Sequence, residues 1–258
     1  MPLPLSVAIV CKNNGATIAR TLESVAGLAS EIVALDSGST DDTIALLEKH
    51  GARVERVAWK GHVATKQAAL EACTQDWVLS LDSDESLEPD LRAAVERALA
   101  SSAAGIDGYE VNRKVYYRGK PLNFAWQPEW RLRLVRRGAA RWGGMDPHDK
   151  LELTSGGRVS RLGGTLRHDS IGTFAEFFGK QAVHARTMAA SMQKEGQRGS
   201  VARLLTSPPG AFLKQFVLKQ SWRDGWPGVL AAASTAAGAL VKHAVLIELT
   251  RTENDPMG

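Results

Sequence analysis

Val78-Leu79-Ser80-Leu81-Asp82-Ser83-Asp84-Glu85 is an apolar run that ends in two carboxylates separated by one residue. A short apolar run bounded by polar residues reads as a buried strand, and α/β sheets gather ligands beyond the carboxyl ends of their strands. Carboxylates at i and i+2 can converge on one hard cation; oxygen ligands favour Mg²⁺ or Mn²⁺, and such a cation neutralises a diphosphate. Taken alone, the triplet is as readily a solvated turn, so its weight depends on its surroundings.

Upstream, strand and helix patterns alternate. Residues 5–11 read as a strand and residues 16–27 as a helix carrying Ile18, Leu22 and Val25. Residues 31–35 form a second strand, which leads into Asp36-Ser37-Gly38-Ser39-Thr40-Asp41. Thr40 or Asp41 suits the cap of a helix carrying Ile44, Leu46 and Leu47. A strand at 52–57, a helix at 63–72, the strand at 77–81 and a helix at 89–100 continue the pattern. This predicts an α/β fold with a mostly parallel central sheet covered by helices. The turn at Asp36 then shares a sheet edge with Asp82 and Asp84, facing one crevice. Asp36 can accept a hydrogen bond from a base or a ribose hydroxyl, and Gly38 lets the backbone approach a ligand closely; as a bare turn, the same residues only cap a helix.

From residue 107 aromatic and basic residues interleave, which predicts an irregular or antiparallel half. Beyond residue 173 the spacing of Phe174, Phe177, Phe178, Ala182 and Ala185 predicts helix, with a break at Ser207-Pro208-Pro209-Gly210. Residues 226–241 carry no charge, but the stretch falls short of the roughly 20 apolar residues of a bilayer crossing, so a span is not expected.

The 258 residues are 44% hydrophobic and 23% charged, which excludes disorder and fibrous architecture. The net charge of +4 and pI near 9.1 permit anionic partners without requiring nucleic acid. Cys11 and Cys73 have no metal-ligand spacing and point to a reducing compartment. Residues 1–14 show neither a basic n-region nor a long apolar h-region, so a cytoplasmic location is expected.

Five segments together resemble glycosyltransferase family 2: Ser6-Val7-Ala8-Ile9-Val10 with Lys12-Asn13-Asn14; Thr21-Leu22-Glu23-Ser24-Val25; Glu31-Ile32-Val33; the Leu35 to Asp41 turn; and Asp76-Trp77 through Glu85. Within it the chain is similar to the bacterial lipopolysaccharide core β-glucosyltransferases and related cell-envelope enzymes. The resemblance is strong over residues 5–100 and weaker to the end. It implies a GT-A fold and inverting, metal-dependent transfer from a nucleotide-sugar donor, with a UDP-sugar expected, to a saccharide or lipid-linked glycan acceptor. Residues 1–172 would form the catalytic domain, with a nucleotide-sugar half (1–105) and an acceptor half (106–172), and residues 173–258 a helical C-terminal extension.

Carried over by position, Asp36 becomes the contact to the base, with Ser37, Lys12, Lys66 and Ser83 lining the nucleotide site. Asp82 and Asp84 serve ribose and metal, Asp84 being the principal ligand of Mg²⁺ or Mn²⁺. Inverting transfer needs a base for the acceptor hydroxyl. Met145-Asp146-Pro147-His148-Asp149-Lys150-Leu151 resembles the family's hydrophobic-His-Glu-x-Leu element, which makes Asp149 the candidate base, with His148 beside it and Asp146 as rival. Asp here replaces the commoner Glu and shortens the reach by one methylene. His168 in the segment Gly164 to Ser170 resembles a later histidine element that reaches metal or diphosphate.

Across residues 111–141 nine basic residues face one acid, Glu129. Arg131, Arg133 and Arg136 are candidates to grip diphosphate or an anionic acceptor, and Trp142 to stack on a sugar. The tail beyond residue 212 mixes Phe212, Phe216, Val217 and Trp222 with Lys214, Lys219 and Arg223. It suits a peripheral contact with an anionic membrane surface or a homodimer interface. Three rival readings are weighed. A haloacid-dehalogenase-like phosphatase would open its fold with the nucleophile strand, whereas three strands precede Asp82. An EF-hand loop fails at Leu87 and Ala93, where Gly and Glu are required. A non-enzymatic protein binding anionic lipid or nucleic acid would use the basic stretch alone.

Overall fold

The computed structural model describes residues 2–101, 105–145, 148–154 and 156–252. β1 (Leu3–Cys11) lies inside the main sheet, and its run Leu5, Ser6, Val7, Ala8 and Ile9 is wholly buried. A strand covered on both faces is continuously apolar rather than alternating. On its two sides run β2 (Ala29–Asp36) and β4 (Trp77–Asp82), both parallel to it, and β3 (Arg53–Arg56) extends the parallel half beyond β2. The sheet then turns antiparallel: β8 (Trp130–Arg136) pairs with β4, β6 (Ile106–Tyr117) with β8, then β11 (Arg158–Ile171) and β5 (Glu85–Leu87). The alternating half and the antiparallel half both appear where the sequence puts them.

Helices α1 (Gly15–Val25), α2 (Thr43–Lys49), α3 (His62–Glu71) and α4 (Pro89–Ala100) connect the early strands. One sheet face buries Val7 and Ile9 with Ile18 and Leu22 of α1 and Leu91 and Val95 of α4. The other buries Ala8, Val33 and Val78 with Ala69 and Leu70 of α3 and with Trp142 and Leu151. Those last two belong to a separate hairpin, β9 (Ala140–Met145) with β10 (His148–Leu153).

The chain divides into two compact units. The first comprises residues up to Arg113 together with Glu129–Gly144 and His148–Asp169, and holds both cores just described. The second gathers Lys114–Pro128 with the chain from Ser170 onward. In it β7 (Lys120–Pro121) folds back on Tyr116 and Tyr117, and Tyr117, Leu122, Ala125, Phe174 and Ala231 form a core. Its helices are α5 (Phe174–Lys194), capped by the Thr173 hydroxyl accepting from the Glu176 N–H, α6 (Val201–Leu213) and α7 (Trp226–Thr252).

The break expected at Pro208-Pro209 is absent: α6 runs through both prolines. Each proline removes one backbone donor, but α6 lies against α7 and continues directly into a π-turn at Lys214–Leu218, so packing outweighs local preference. By length and composition α7 is apolar enough to cross a membrane, with mean hydropathy 1.5 over its best window, 28% of that window buried. The helix continues past Lys242 and His243, which bound the uncharged stretch, and packs on α5 and α6.

Gly164 in β11 has φ +107°, and a Cβ there would stand 2.4 Å from the backbone nitrogen of Leu91 in α4. Neither strain nor clash can be relieved by a side-chain rotation. Gly164→Ala is expected to destabilise the fold by about 3 kcal/mol or more, measured by denaturant unfolding.

Candidate active site

Register fixes the geometry of the carboxyl edge. Cys11 of β1 pairs with Asp36 of β2, and Val10 of β1 pairs with Asp82 of β4. The two acids therefore flank the end of one strand, two strand spacings or about 10 Å apart across the sheet.

The first loops are laced together by side chains. Asn13 donates its N–H to the Ser39 hydroxyl and accepts the Thr40 N–H on its side-chain oxygen (both 2.8 Å). The Asp41 carboxylate accepts the N–H groups of Gly15 (2.9 Å) and Thr43 (3.1 Å), whereas the N-cap position of α2, expected at Thr40 or Asp41, falls on Asp42, which makes no side-chain cap bond. Asp36 is fully buried. One of its oxygens accepts the N–H groups of Gly38 (3.0 Å) and Ser39 (2.9 Å), and the other accepts the Ser39 hydroxyl. Burial alone would raise its pKa, but these donors hold it below the ordinary value. The structure thus brings Asp36 to the expected strand end and engages its carboxylate in shaping its own loop. Ser37 donates to the Cys11 carbonyl (3.2 Å), and Lys12 is exposed beside it.

Asp82 sits in a different environment. One oxygen meets Lys66 Nζ at 2.6 Å, and the other meets Arg133 at 3.1 Å and Arg113 at 3.8 Å. Lys66 of α3 is buried and also reaches Asp149 of β10 at 2.8 Å, so one ammonium ties the strand end to the candidate base. Glu85 is wholly buried; it binds Arg113 (3.1 Å) and Arg133 (2.7 Å) and accepts the Asp82 N–H (3.1 Å). Glu129 then pairs with Arg113 (2.6 Å) and Arg131 (2.7 Å). Four acids, Asp82, Glu85, Glu129 and Asp149, are matched by four cations, Lys66, Arg113, Arg131 and Arg133. Burial would push Asp82 up, but Lys66 and Arg133 hold it well below the ordinary carboxylate range, while burial opposes and Asp82 supports the raised pKa of Lys66.

Asp84 faces away from this network toward His168, whose Nε2 lies 3.5 Å from its Oδ2. Burial would raise the Asp84 pKa and lower that of His168, yet their attraction moves each the other way. Pairing of His168 with Glu85 in the β11–β5 ladder puts the histidine there, and the Asp169 N–H donates to the Asp84 carbonyl (2.9 Å). The turn itself is pinned from α1, where Thr17 and Thr21 both donate to the Ser83 carbonyl (3.1 Å). Among the described residues no group of three or more His, Cys, Asp or Glu converges as a complete metal cage. An aspartate oxygen and an imidazole nitrogen side by side do suit a divalent cation that takes its other ligands from substrate oxygens and water. Nδ1 of His168 is buried without a hydrogen-bond partner.

Other expected residues divide. Trp142 is buried under Lys66 and Arg133, 4.7 and 5.7 Å from its ring, and so is a floor for the cations rather than an open stacking face. Arg136 is not brought to the site. It lies opposite Trp77, five residues along β4 from Asp82 and so about 16 Å away at strand rise, where it stacks on Trp77 and donates to the Ile106 carbonyl. The expected basic surface over residues 111–141 is reduced, because Arg113, Arg131 and Arg133 are consumed by internal acids. Asp146 falls outside the described residues, as does the side chain of His148. Cys11 and Cys73 are buried with thiol pKa values pushed up to about 12 by burial first, which removes them as nucleophiles.

Glu85, Thr17 and Thr21 were not assigned from sequence, and Arg113 was named only within the basic cluster. An acid followed by Ser86-Leu87 into a buried strand was the available signal for Glu85, since a buried carboxylate requires cations elsewhere in the chain.

The strand-end loops laced together beside the Asp84–His168 pair stand at the carboxyl edge of a sheet of the GT-A type. Glucosyl-3-phosphoglycerate synthase from Mycobacterium tuberculosis, solved with phosphoglyceric acid, shares the fold with TM-score 0.51 and 19% identity over 77% of this chain and 82% of that one. The model of Glycosyl transferase family 2 matches residues 6–157, and the chain belongs to that family. It is 31% identical to the lipopolysaccharide core biosynthesis glycosyltransferase LpsC of Rhizobium meliloti (strain 1021) over 95% of this chain and 93% of the relative. It is 28% identical to an uncharacterized glycosyltransferase of Rickettsia typhi over 95% and 87%. The protein is a glycosyltransferase, which removes the phosphatase and non-enzymatic readings.

Two consequences are measurable. Glu85→Ala removes the wholly buried one of the two carboxylates that Arg113 and Arg133 share and should cost about 3–5 kcal/mol in denaturant unfolding. Burial opposes, but Arg113 and Arg131 enforce, a Glu129 pKa pushed down to about 2. A depressed carboxylate stabilises the fold above its unfolded value of about 4.5 and loses that contribution as pH falls toward 2. Thermal melts of Glu129→Gln should therefore fall below wild type at neutral pH and converge with it near pH 2.

Proposed function

We propose that the protein is an inverting, divalent-metal-dependent glycosyltransferase that moves a sugar from a nucleotide diphosphate donor, a UDP-sugar first among candidates, to a cell-envelope glycan such as lipopolysaccharide core. The observation that carries this reading is the single ammonium of Lys66 joining Asp82, at the strand end beside the Asp84–His168 pair, to Asp149. The relative's printed role in lipopolysaccharide core biosynthesis supports the acceptor class.

The donor nucleotide lies across the ends of β1, β2 and β4, against the loop shaped by Asp36 and Ser37, with Lys12, Lys66, Asp82 and Ser83 around base, ribose and phosphate. Asp84 and His168 would hold Mg²⁺ or Mn²⁺, and the cation would supply positive charge to balance the diphosphate. This charge has to come from outside, because the buried cluster is already balanced by its own four acids and four cations. Asp149 removes the acceptor hydroxyl proton; the oxygen bonds to the anomeric carbon on the face opposite the donor, and the carbon–phosphate oxygen bond breaks with its electron pair going to the nucleoside diphosphate. His148, next to that base in sequence, is assigned to assist it, and Arg131 and Arg133, through the acids they pair with, to the side of the diphosphate or an anionic acceptor. Residues 1–172 constitute the catalytic part, 1–105 for donor and 106–172 for acceptor, and 173–258 the extension. The reaction is assigned to the cytoplasmic face of the inner membrane.

Isothermal titration and product assays test this. Asp84→Ala should abolish the strengthening of UDP binding by Mn²⁺; unchanged metal dependence would discard the ligand assignment. Asp149→Asn should keep donor affinity and lower turnover by about 10²–10⁴-fold, and retained turnover would transfer the role to Asp146.

A further inference from the structure

Seven of the twelve large hydrophobic side chains that stand exposed among the described residues fall within residues 201–226 of the helical unit. Leu218 is 75% exposed and Leu205 68%. On α6, positions 201, 205, 209 and 213 follow one another at i, i+4 spacing and all are exposed, forming a ridge of Val, Leu, Pro and Leu. The ridge runs on through the π-turn to Val217 and Leu218, and Trp222 and Trp226 stand out beyond it. A concentration of this kind on a soluble surface marks a contact.

Charge selects the occupant. Residues 196–223 contain Arg198, Arg203, Lys214, Lys219 and Arg223 and no acid at all. The acid that follows, Asp224, is withdrawn from the surface, since its carboxylate accepts the N–H groups of Asn123 (2.8 Å), Phe124 (2.9 Å) and Ala125 (2.7 Å). Those bonds also fix the short 3₁₀ turn at Ser221–Asp224 that displays Trp222. A second copy of the chain would set the same cations against themselves. An anionic bilayer meets both features, taking apolar side chains to headgroup depth, where tryptophan is favoured, and offering phosphates to the basic residues.

We propose that α6, the π-turn, the 3₁₀ turn and the start of α7 form a peripheral docking surface for anionic phospholipid, on which the protein lies without crossing. Lys242 and Glu248 within α7, and the packing of that helix on α5 and α6, fit a helix held by its own unit through one side, with the rest exposed. The inference deepens the membrane-face reading of the proposed function, while its physical basis lies wholly in the helical unit.

Flotation with phosphatidylcholine vesicles, with and without phosphatidylglycerol, is the test, run at low and raised salt. Wild type should float with the anionic vesicles alone and detach as salt rises. Leu213→Glu with Leu218→Glu should lower binding by at least about tenfold, and Lys214→Ser by roughly fivefold with a shallower salt dependence. Melting temperature and metal-dependent donor hydrolysis serve as controls and should match wild type. Equal flotation without phosphatidylglycerol, or variants that float as well as wild type, would overturn the proposal. A dimer dissolved by Leu218→Glu in a protein that ignores vesicles would overturn it in favour of self-association. Loss of donor hydrolysis in wild type with flotation intact would instead defeat the transferase reading and leave the surface standing.

Discussion

The ionised carboxylate of Asp82, held between Lys66 and Arg133 at the end of a buried strand, is the constraint on which the site rests. An isolated charge there would be driven to neutralise. It persists because α3, β6 and β8 each deliver a cation to the same point, and those cations in turn need Glu85 and Glu129. Replacing the set with apolar residues would often be neutral or better for stability. What an apolar core lacks is a fixed array of charges: six of the eight members meet two or more partners, so the turn carrying Asp84 starts from a rigid base.

Side-chain bonds to backbone perform the corresponding work on the other side of β1. Asn13, Ser39 and Asp41 link two loops that are 26 or 27 residues apart in sequence, and Asp36 closes its own loop from inside. Small polar residues of this type compete with regular structure for backbone groups, and here that tendency is used to shape the ends of parallel strands. The strand-end edge is thus made of backbone held by short side chains, with a long, exposed cation, Lys12, at its rim.

The parallel half was legible because its signals are local. Apolar runs of five or six residues, helices with Ile18, Leu22 and Val25 on one face, and Pro89 at the first position of α4 each state their structure within one window. The antiparallel half was less so. β6 and β11 are 12 and 14 residues long and place charges such as Arg113 inward, where only partners far along the chain make them tolerable. Glu85 exemplifies the limit, since its partners lie 28 and 48 residues away and no window contains both. For the same reason the Arg cluster read as an open basic surface, although three of its members face internal acids. At Pro208-Pro209 the failure runs in reverse: the local signal was strong, and contact with α7 overruled it.

The two aspartates of the 82–84 turn show why spacing alone underdetermines chemistry. They are separated by one residue, so in extended backbone they leave the chain on the same side, yet Asp82 is saturated by protein cations, while among the described residues the ion pair of Asp84 is with a histidine at 3.5 Å. A carboxylate already neutralised twice has little attraction left for a divalent ion, whereas one opposed by a single titratable ring retains most of its own. The asymmetry arises from Ser83, whose carbonyl is drawn onto α1 by Thr17 and Thr21 and turns the following residue toward β11. On the proposed reading, one carboxylate therefore organises the protein and the other is kept for what comes from solution, and that division is set by two threonine hydroxyls that no pattern of acids would have disclosed.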